Sequence, residues 1–234
     1  LIDQHVRELA AAVPTPDHVL VLGDLVGYGA DPNAVIDRIR AMPTVTVIRG
    51  NHDKVAAGLE QPIGFNHLAR HAVEWTRTTL TPGNRAFIAN LPTGPVVIDE
   101  AIEICHGTPF DEDVYLFDDM DARQAFRTMR RPVCLFGHTH VPAVFRCDDT
   151  MKHVTPNRGG CYSLTFDDGA RYLVNVGAVG QPRDGDPRAA FGIIDTSHRT
   201  LTLSRIPYDV AAAQAKIIAA GLPDVLAQRL ATGR

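Results

Sequence analysis

The residues of this sequence best suited to chemistry lie in four short motifs, each placed directly after an apolar run. The motifs are Gly23-Asp24, Gly50-Asn51-His52-Asp53, His106-Gly107 and Gly137-His138-Thr139-His140. Their carboxylate, carboxamide and imidazole groups form a mixed nitrogen and oxygen ligand set, which suits divalent ions such as manganese, iron or zinc. Each motif also contains a glycine, which lets the backbone turn sharply off a strand and approach a metal or a phosphate. The motifs therefore predict a metal site.

The apolar runs before these motifs predict buried strands near residues 18–22, 45–48, 102–105 and 133–136. Helical periodicity separates several of them, and an alternation of strand, loop and helix is typical of a parallel α/β sheet. We expect all four motifs to occupy loops at the strands' carboxyl ends, which meet at one edge of such a sheet.

The rest of the chain also divides into short elements, which become richer in strands after residue 95. We predict helices near residues 6–13, 33–42, 66–80, 84–89, 121–130 and 210–220, with one more short helix at the end, and strands near residues 96–98, 162–166, 171–176, 190–194 and 201–205. The sequence contains no internal repeat and no linker. We therefore expect one domain over residues 1–234.

Composition narrows the functional classes. The chain has 234 residues, 45% of them hydrophobic, and a formal net charge of −4. A negative net charge argues against bulk binding of nucleic acid, but it is compatible with a small phosphoester substrate that contacts bound cations. We expect no membrane partner and a cytoplasmic location, because no run is long and apolar enough to span a bilayer. The four cysteines lack a C-x-x-C spacing, and we interpret them as reduced and structural.

The ordered motifs resemble those of calcineurin-like metallophosphoesterases, and residues 175–185 with the tail near 221–223 are similar to a bacterial phosphodiesterase-like subgroup. The resemblance covers nearly the whole chain. It implies an α/β fold of the α+β sandwich type, with two mixed sheets packed face to face, helices flanking them, and a metal site at the strand carboxyl ends. It also implies an enzyme that hydrolyses phosphoester bonds with two divalent ions, which can be manganese, iron, zinc or nickel.

By the same resemblance, Asp24 bridges the two ions, Asn51, His106 and His138 complete the ligands of one ion, and His140 binds the other. His52 is implied as the catalytic residue that stabilises negative charge or protonates the leaving oxygen, with Asp53 orienting its imidazole. The family also takes an aspartate and a histidine from an Asp-x-His motif on its first strand. That motif is either shortened at Asp3-Gln4-His5 or lies upstream of Leu1, so we expect the domain to lack its first strand.

Several alternatives stay open at this point. We expect a small, nucleotide-like phosphomonoester or phosphodiester as the substrate. A serine/threonine protein phosphatase and a non-catalytic scaffold of the same fold are the competing functions. His67 and His71 are spaced for a shared metal but favour an ordinary helix face. Arg183 either contacts phosphate or belongs to a turn, and Tyr28 either lines the cleft or packs beneath its loop. The sequence leaves the oligomeric state open.

Overall fold

The computed structural model of the protein describes residues 15–154 and 161–234. The predicted helix near residues 6–13 and the candidate motif at Asp3 and His5 lie outside this part of the chain. Two compact units contain the described residues: one holds residues 15–92 and Tyr208–Thr232, and the other holds most of residues 93–207 with Gly233–Arg234. Among the helices described, none combines the length and the apolar character that crossing a membrane requires.

The first unit contains two short parallel strands and most of the helices. Val19–Val21 (β1) pairs in parallel with Val45–Val47 (β2), so the segments that follow the two strands leave the pair at the same end. The helices are Pro32–Arg40 (α1), Asn51–Ala57 (α2), His67–Thr79 (α3), Pro82–Ala89 (α4), Val210–Ala219 (α6) and Asp224–Gln228 (α7), followed by a 3₁₀ turn at Arg229–Ala231. Buried aliphatic side chains from α1, α2 and the loop after β1 form its principal core.

The second unit is built on strands. A mixed sheet has the order β3-β4-β5-β9-β6-β7, and a separate antiparallel sheet has the order β10-β11-β8. The strands are Val96–Val97 (β3), Ile102–Ile104 (β4), Val133–Phe136 (β5), Ala143–Cys147 (β6), Met151–Val154 (β7), Tyr162–Thr165 (β8), Arg171–Asn175 (β9), Ala189–Asp195 (β10) and Thr200–Ile206 (β11). Helix Asp119–Thr128 (α5) contributes to a core with β5, β6 and β9.

Three adjacent strands of the mixed sheet run parallel and position several candidate site residues. Ile104 on β4 pairs with Leu135 on β5, and Phe136 at the end of β5 pairs with Asn175 at the end of β9. Because parallel strands end at the same edge, the segments that follow β4, β5 and β9 emerge side by side. The predicted α/β class and the convergence of His106 and the Gly137–His140 motif at one sheet edge are therefore confirmed.

Two features of the local prediction were wrong. The Gly50-Asn51-His52-Asp53 motif does not lie in a loop, because Asn51 begins α2 and Gly50 is its N-cap. Strands β6 and β7 were missed: they form a hairpin in which Val144 pairs with Val154. The hairpin's outer strand is mostly exposed, so it lacks the continuous apolar run that identified the central strands.

Candidate functional site

Asp24 follows β1 in an unusual backbone conformation. Gly23 has a φ of 88° and Asp24 a φ of 53°, so both residues lie in the left-handed region that an aspartate rarely adopts. The Asp24 carboxylate accepts a hydrogen bond from the backbone N–H of His52 at 3.0 Å. This bond ties the end of β1 to the N-terminus of α2, where the helix dipole also stabilises a negative charge.

Asp53 occupies the third position of α2 and is fully buried. One of its carboxylate oxygens accepts from the backbone N–H of Gly50 at 2.9 Å, and the other accepts from the N–H of Val26 at 3.2 Å. Asp53 therefore caps the helix and holds the loop after β1 against it. Its predicted role in orienting the imidazole of His52 stays a prediction.

His52 is enclosed by aromatic side chains and by the loop after β1. Only 5% of the residue is exposed, and its ring centroid lies 4.4 Å from that of Tyr28 and 4.7 Å from that of Phe65. A Cβ atom on Gly27, whose φ is +127°, would lie 2.4 Å from His52 Nδ1. Glycine is required here, because no other side chain fits beside the imidazole. Tyr28 thus packs on a predicted catalytic residue.

In the second unit, His106 and His138 lie together at the ends of neighbouring parallel strands. Both are buried, and their ring centroids are 4.9 Å apart. The Gly137 N–H donates to the His106 carbonyl at 2.8 Å, which continues the pairing of β4 with β5 beyond the strands. His138 Nε2 lies 3.1 Å from the Asp113 carbonyl and donates to it in the tautomer that leaves Nδ1 as a ligand atom.

His140 is fixed in a similar way. Its Nδ1 lies 2.8 Å from the carbonyl oxygen of Gln181, and donation of that N–H leaves the Nε2 lone pair for a ligand. The loop that presents His140 also accepts a backbone hydrogen bond, because the Arg183 N–H donates to the His140 carbonyl at 3.2 Å. Arg183 itself is hydrogen-bonded through its guanidinium to the Gln181 side chain at 2.9 Å.

Asn175 is a structural determinant of this loop, a role that the resemblance of residues 175–185 did not assign to it. Its buried amide Nδ2 donates to the Gly137 carbonyl at 2.6 Å and to Thr139 Oγ1 at 3.0 Å. Its Oδ1 accepts from the Gly177 N–H at 2.8 Å. A single side chain at the end of β9 therefore holds the loop that carries His138 and His140, a function characteristic of residues that orient metal ligands.

Backbone strain coincides with the predicted ligands. In the described part of the chain, the non-glycine residues with positive φ are Asp24 at 53°, His138 at 63°, His140 at 62° and Arg199 at 54°. Arg199 belongs to the turn between β10 and β11, where such a conformation is common. The other three residues have been predicted to bind metal, and strained backbone of this kind clusters at active sites.

The two other histidines considered from sequence do not join this arrangement. His67 and His71 are exposed on the first turns of α3, which favours the interpretation of an ordinary helix face. Asn66 caps this helix by accepting from the Ala69 N–H at 3.0 Å.

Comparison with known proteins agrees with the family that the motifs resemble. The sequence model of the calcineurin-like phosphoesterase superfamily domain matches residues 2–199. An uncharacterized protein of Methanocaldococcus jannaschii is 33% identical over 223 residues, a match that covers 92% of this chain and 86% of the relative.

Solved structures include proteins with the same fold. The crystal structure of a metallophosphoesterase from Sphaerobacter thermophilus superimposes with a TM-score of 0.84 at 33% identity, over 99% of this chain and 94% of that one. A hypothetical protein of Pyrococcus horikoshii OT3 gives a TM-score of 0.75 over 98% of this chain and 90% of that one. At 19% identity this second likeness concerns the fold alone.

Proposed function

This chain belongs to the calcineurin-like phosphoesterase superfamily, and from that premise we propose that it is a metal-dependent hydrolase acting on small phosphomonoesters or phosphodiesters. The proposed site holds two divalent ions. Asp24, Asn51, His106, His138 and His140 would hold them through their carboxylate, carboxamide and imidazole groups. The observation that carries this proposal is the left-handed backbone at Asp24, His138 and His140, which costs free energy that ordinary loops avoid.

The chemistry of these side chains fits a divalent ion. Asp24, His106 and His138 each offer one ligand atom, a carboxylate oxygen or an imidazole nitrogen, and such atoms suit manganese, iron, zinc and nickel. The hydrogen bonds from His138 to Asp113 and from His140 to Gln181 each leave one ring nitrogen for a metal. When bound, two such ions polarise a phosphate and lower the pKa of a water molecule.

Proton donation and positioning are proposed roles of the chain's own residues. His52 is proposed to donate a proton to the leaving oxygen or a hydrogen bond to the phosphoryl oxygens, since its ring is enclosed and fixed by Tyr28 and Phe65. Asp53 is proposed to support that role by fixing the first turn of α2, through its bonds to Gly50 and Val26. Positioning of this kind keeps the proton donor close to the reacting group.

A metal-dependent activity screen tests the proposal. The manganese-loaded chain is assayed against phosphomonoesters, phosphodiesters, dinucleoside polyphosphates and a phosphoserine peptide, in parallel with Asp24→Asn and with Asp17→Asn, an exposed control. We expect hydrolysis of at least one small phosphoester by the parent and by Asp17→Asn, and a loss of at least about 100-fold in Asp24→Asn. Metal-loaded protein that is inactive on every class would overturn the assignment, and selective cleavage of the peptide would favour a protein phosphatase.

A further inference from the structure

Two exposed aromatic rings extend from His138 in a continuous stack. The Tyr115 ring lies on the His138 imidazole with centroids 3.8 Å apart and planes 21° from parallel. The Phe117 ring stacks on Tyr115 in turn, at 5.3 Å and 11°. Tyr115 is 43% exposed and Phe117 is 57% exposed. We call Tyr115 and Phe117 the aromatic shelf.

The backbone that carries the shelf is fixed to the predicted ligands. A Cβ atom on Gly107, the neighbour of His106, would lie 2.5 Å from the Val114 carbonyl oxygen, so this loop crosses directly over the Gly107 backbone. The Asp113 carbonyl is hydrogen-bonded to the His138 ring, and Leu116 is buried between the two shelf residues at 2% exposure. The shelf is therefore held at a defined distance from His106 and His138.

The exposure of these rings is not explained by folding. Large aromatic side chains stabilise a protein by leaving water, at about 25 cal/mol for each Å² buried, whereas Phe117 keeps more than half of its surface in solvent. Phe117 directly precedes the N-cap of α5; its backbone N–H donates to the Asp121 carboxylate at 2.9 Å, and its ring stacks on Tyr115. Paired, parallel and exposed aromatic rings are typical of platforms on which planar ligands stack.

We propose that the aromatic shelf binds a planar aromatic ring carried by the leaving group, such as the base of a departing nucleoside, while the phosphoryl group lies at the predicted metal ligands, His138 among them. This inference rests on the proposed function, narrows its small phosphoesters to the nucleotide-like class expected from the sequence, and adds two specificity-determining residues. The base would extend the existing stack of His138, Tyr115 and Phe117 over the exposed face of Phe117. Stacking is tolerant of base identity, so the shelf selects aromatic over aliphatic leaving groups.

Binding is tested with a ligand pair that differs only in the base. Adenosine 5′-monophosphate and ribose 5-phosphate share the same phosphate and the same 5′-oxygen. Isothermal titration of each into the manganese-loaded His52→Ala chain, in which hydrolysis is slowed, isolates the effect of adenine on binding. We expect the base to strengthen binding about 5- to 100-fold, and Phe117→Ala to remove most of that gain. Phe117→Leu keeps an apolar side chain without a planar face, and Met120→Ala, at 79% exposure, is the control. Equal affinity for both ligands, or an equal loss in Phe117→Ala and Met120→Ala, overturns the inference.

Hydrolysis of the same pair, and of its methyl diesters, separates this inference from the proposed function. We expect Phe117→Ala to lower kcat/KM for the adenosine compounds about 5- to 100-fold and to leave the ribose compounds within about twofold. If the chain hydrolyses the adenosine and the ribose compounds equally, the proposed function stands and the proposed binding role of the aromatic shelf is refuted. A chain that binds the nucleotide through Phe117 but hydrolyses none of the four compounds supports the shelf and counts against the proposed function.

Discussion

Replacing Asn175 by alanine should destabilise the loop that carries His138 and His140. The change removes three hydrogen bonds, to the Gly137 carbonyl, to Thr139 Oγ1 and from the Gly177 N–H. Each such bond contributes about 0.5–1.5 kcal/mol to stability, and since Asn175 is 0% exposed, water does not replace them. The expected loss is about 2–4 kcal/mol, which lowers Tm by about 5–15 °C in a chain of this size.

Calorimetric unfolding and metal titration measure the two consequences separately. Manganese affinity in Asn175→Ala should fall about 10- to 100-fold, as for other partners that orient metal ligands. Asn90→Ala is the matched control, because Asn90 is exposed and makes one side-chain bond, to the Ala86 carbonyl at 2.7 Å. It should change stability by less than about 0.5 kcal/mol. An Asn175→Ala chain that keeps both its Tm and its metal affinity would refute the role assigned to this residue.

Three further changes follow from contacts of single residues. Gly27→Ala should lower the free energy of unfolding in urea by at least about 1–3 kcal/mol, because its φ is +127° and its new Cβ would lie 2.4 Å from His52 Nδ1; an unchanged urea midpoint would contradict this. His52→Ala should retain the metal content of the parent while kcat falls about 10²- to 10⁴-fold, and equal loss of both would make His52 a ligand or a structural residue. The hydrogen bond from Arg188 lowers the pKa of Asp186 to about 2 from an ordinary 3.8. The ionised Asp186 carboxylate therefore stabilises the folded state by about 2 kcal/mol above about pH 4, and this stabilisation is lost as the pH falls toward 2. The difference in urea stability between the parent and Asp186→Asn should shrink over that range, and a constant difference would refute the linkage.

The central strands were predictable because burial on both faces leaves a clear pattern. Val133–Phe136 is an apolar run that ends in Gly137, and the structure places a fully buried strand on the same residues. Met151–Val154 is largely exposed and contains lysine and histidine, so no period distinguished it from a loop. The start of α2 was missed for a related reason, since Asn51-His52-Asp53 has no apolar periodicity. Asp53 was the available signal, as an acidic residue at the third helical position.

The predicted site residues came from motifs, whereas the contacts that fix them came only from the fold. Asn175 and Gly137 are 38 positions apart, and they meet because β5 and β9 are adjacent parallel strands. The stack of Tyr115 on His138 likewise joins residues that no local pattern connects. The sequence therefore supplied the candidate site residues, but the interactions that hold and extend the site depend on strand order, which a single sequence does not encode locally.

The most direct test of the proposed function is the rate of phosphoester hydrolysis by one sample of the chain before and after its metal is removed and restored. Treatment with a chelator should abolish hydrolysis, addition of manganese should restore it, and His138→Ala should show neither restoration nor full metal content. His153→Ala, a change in the exposed strand β7, should behave like the parent. Hydrolysis that persists in fully stripped protein, or that survives unchanged in His138→Ala, would contradict a metal-dependent phosphoesterase.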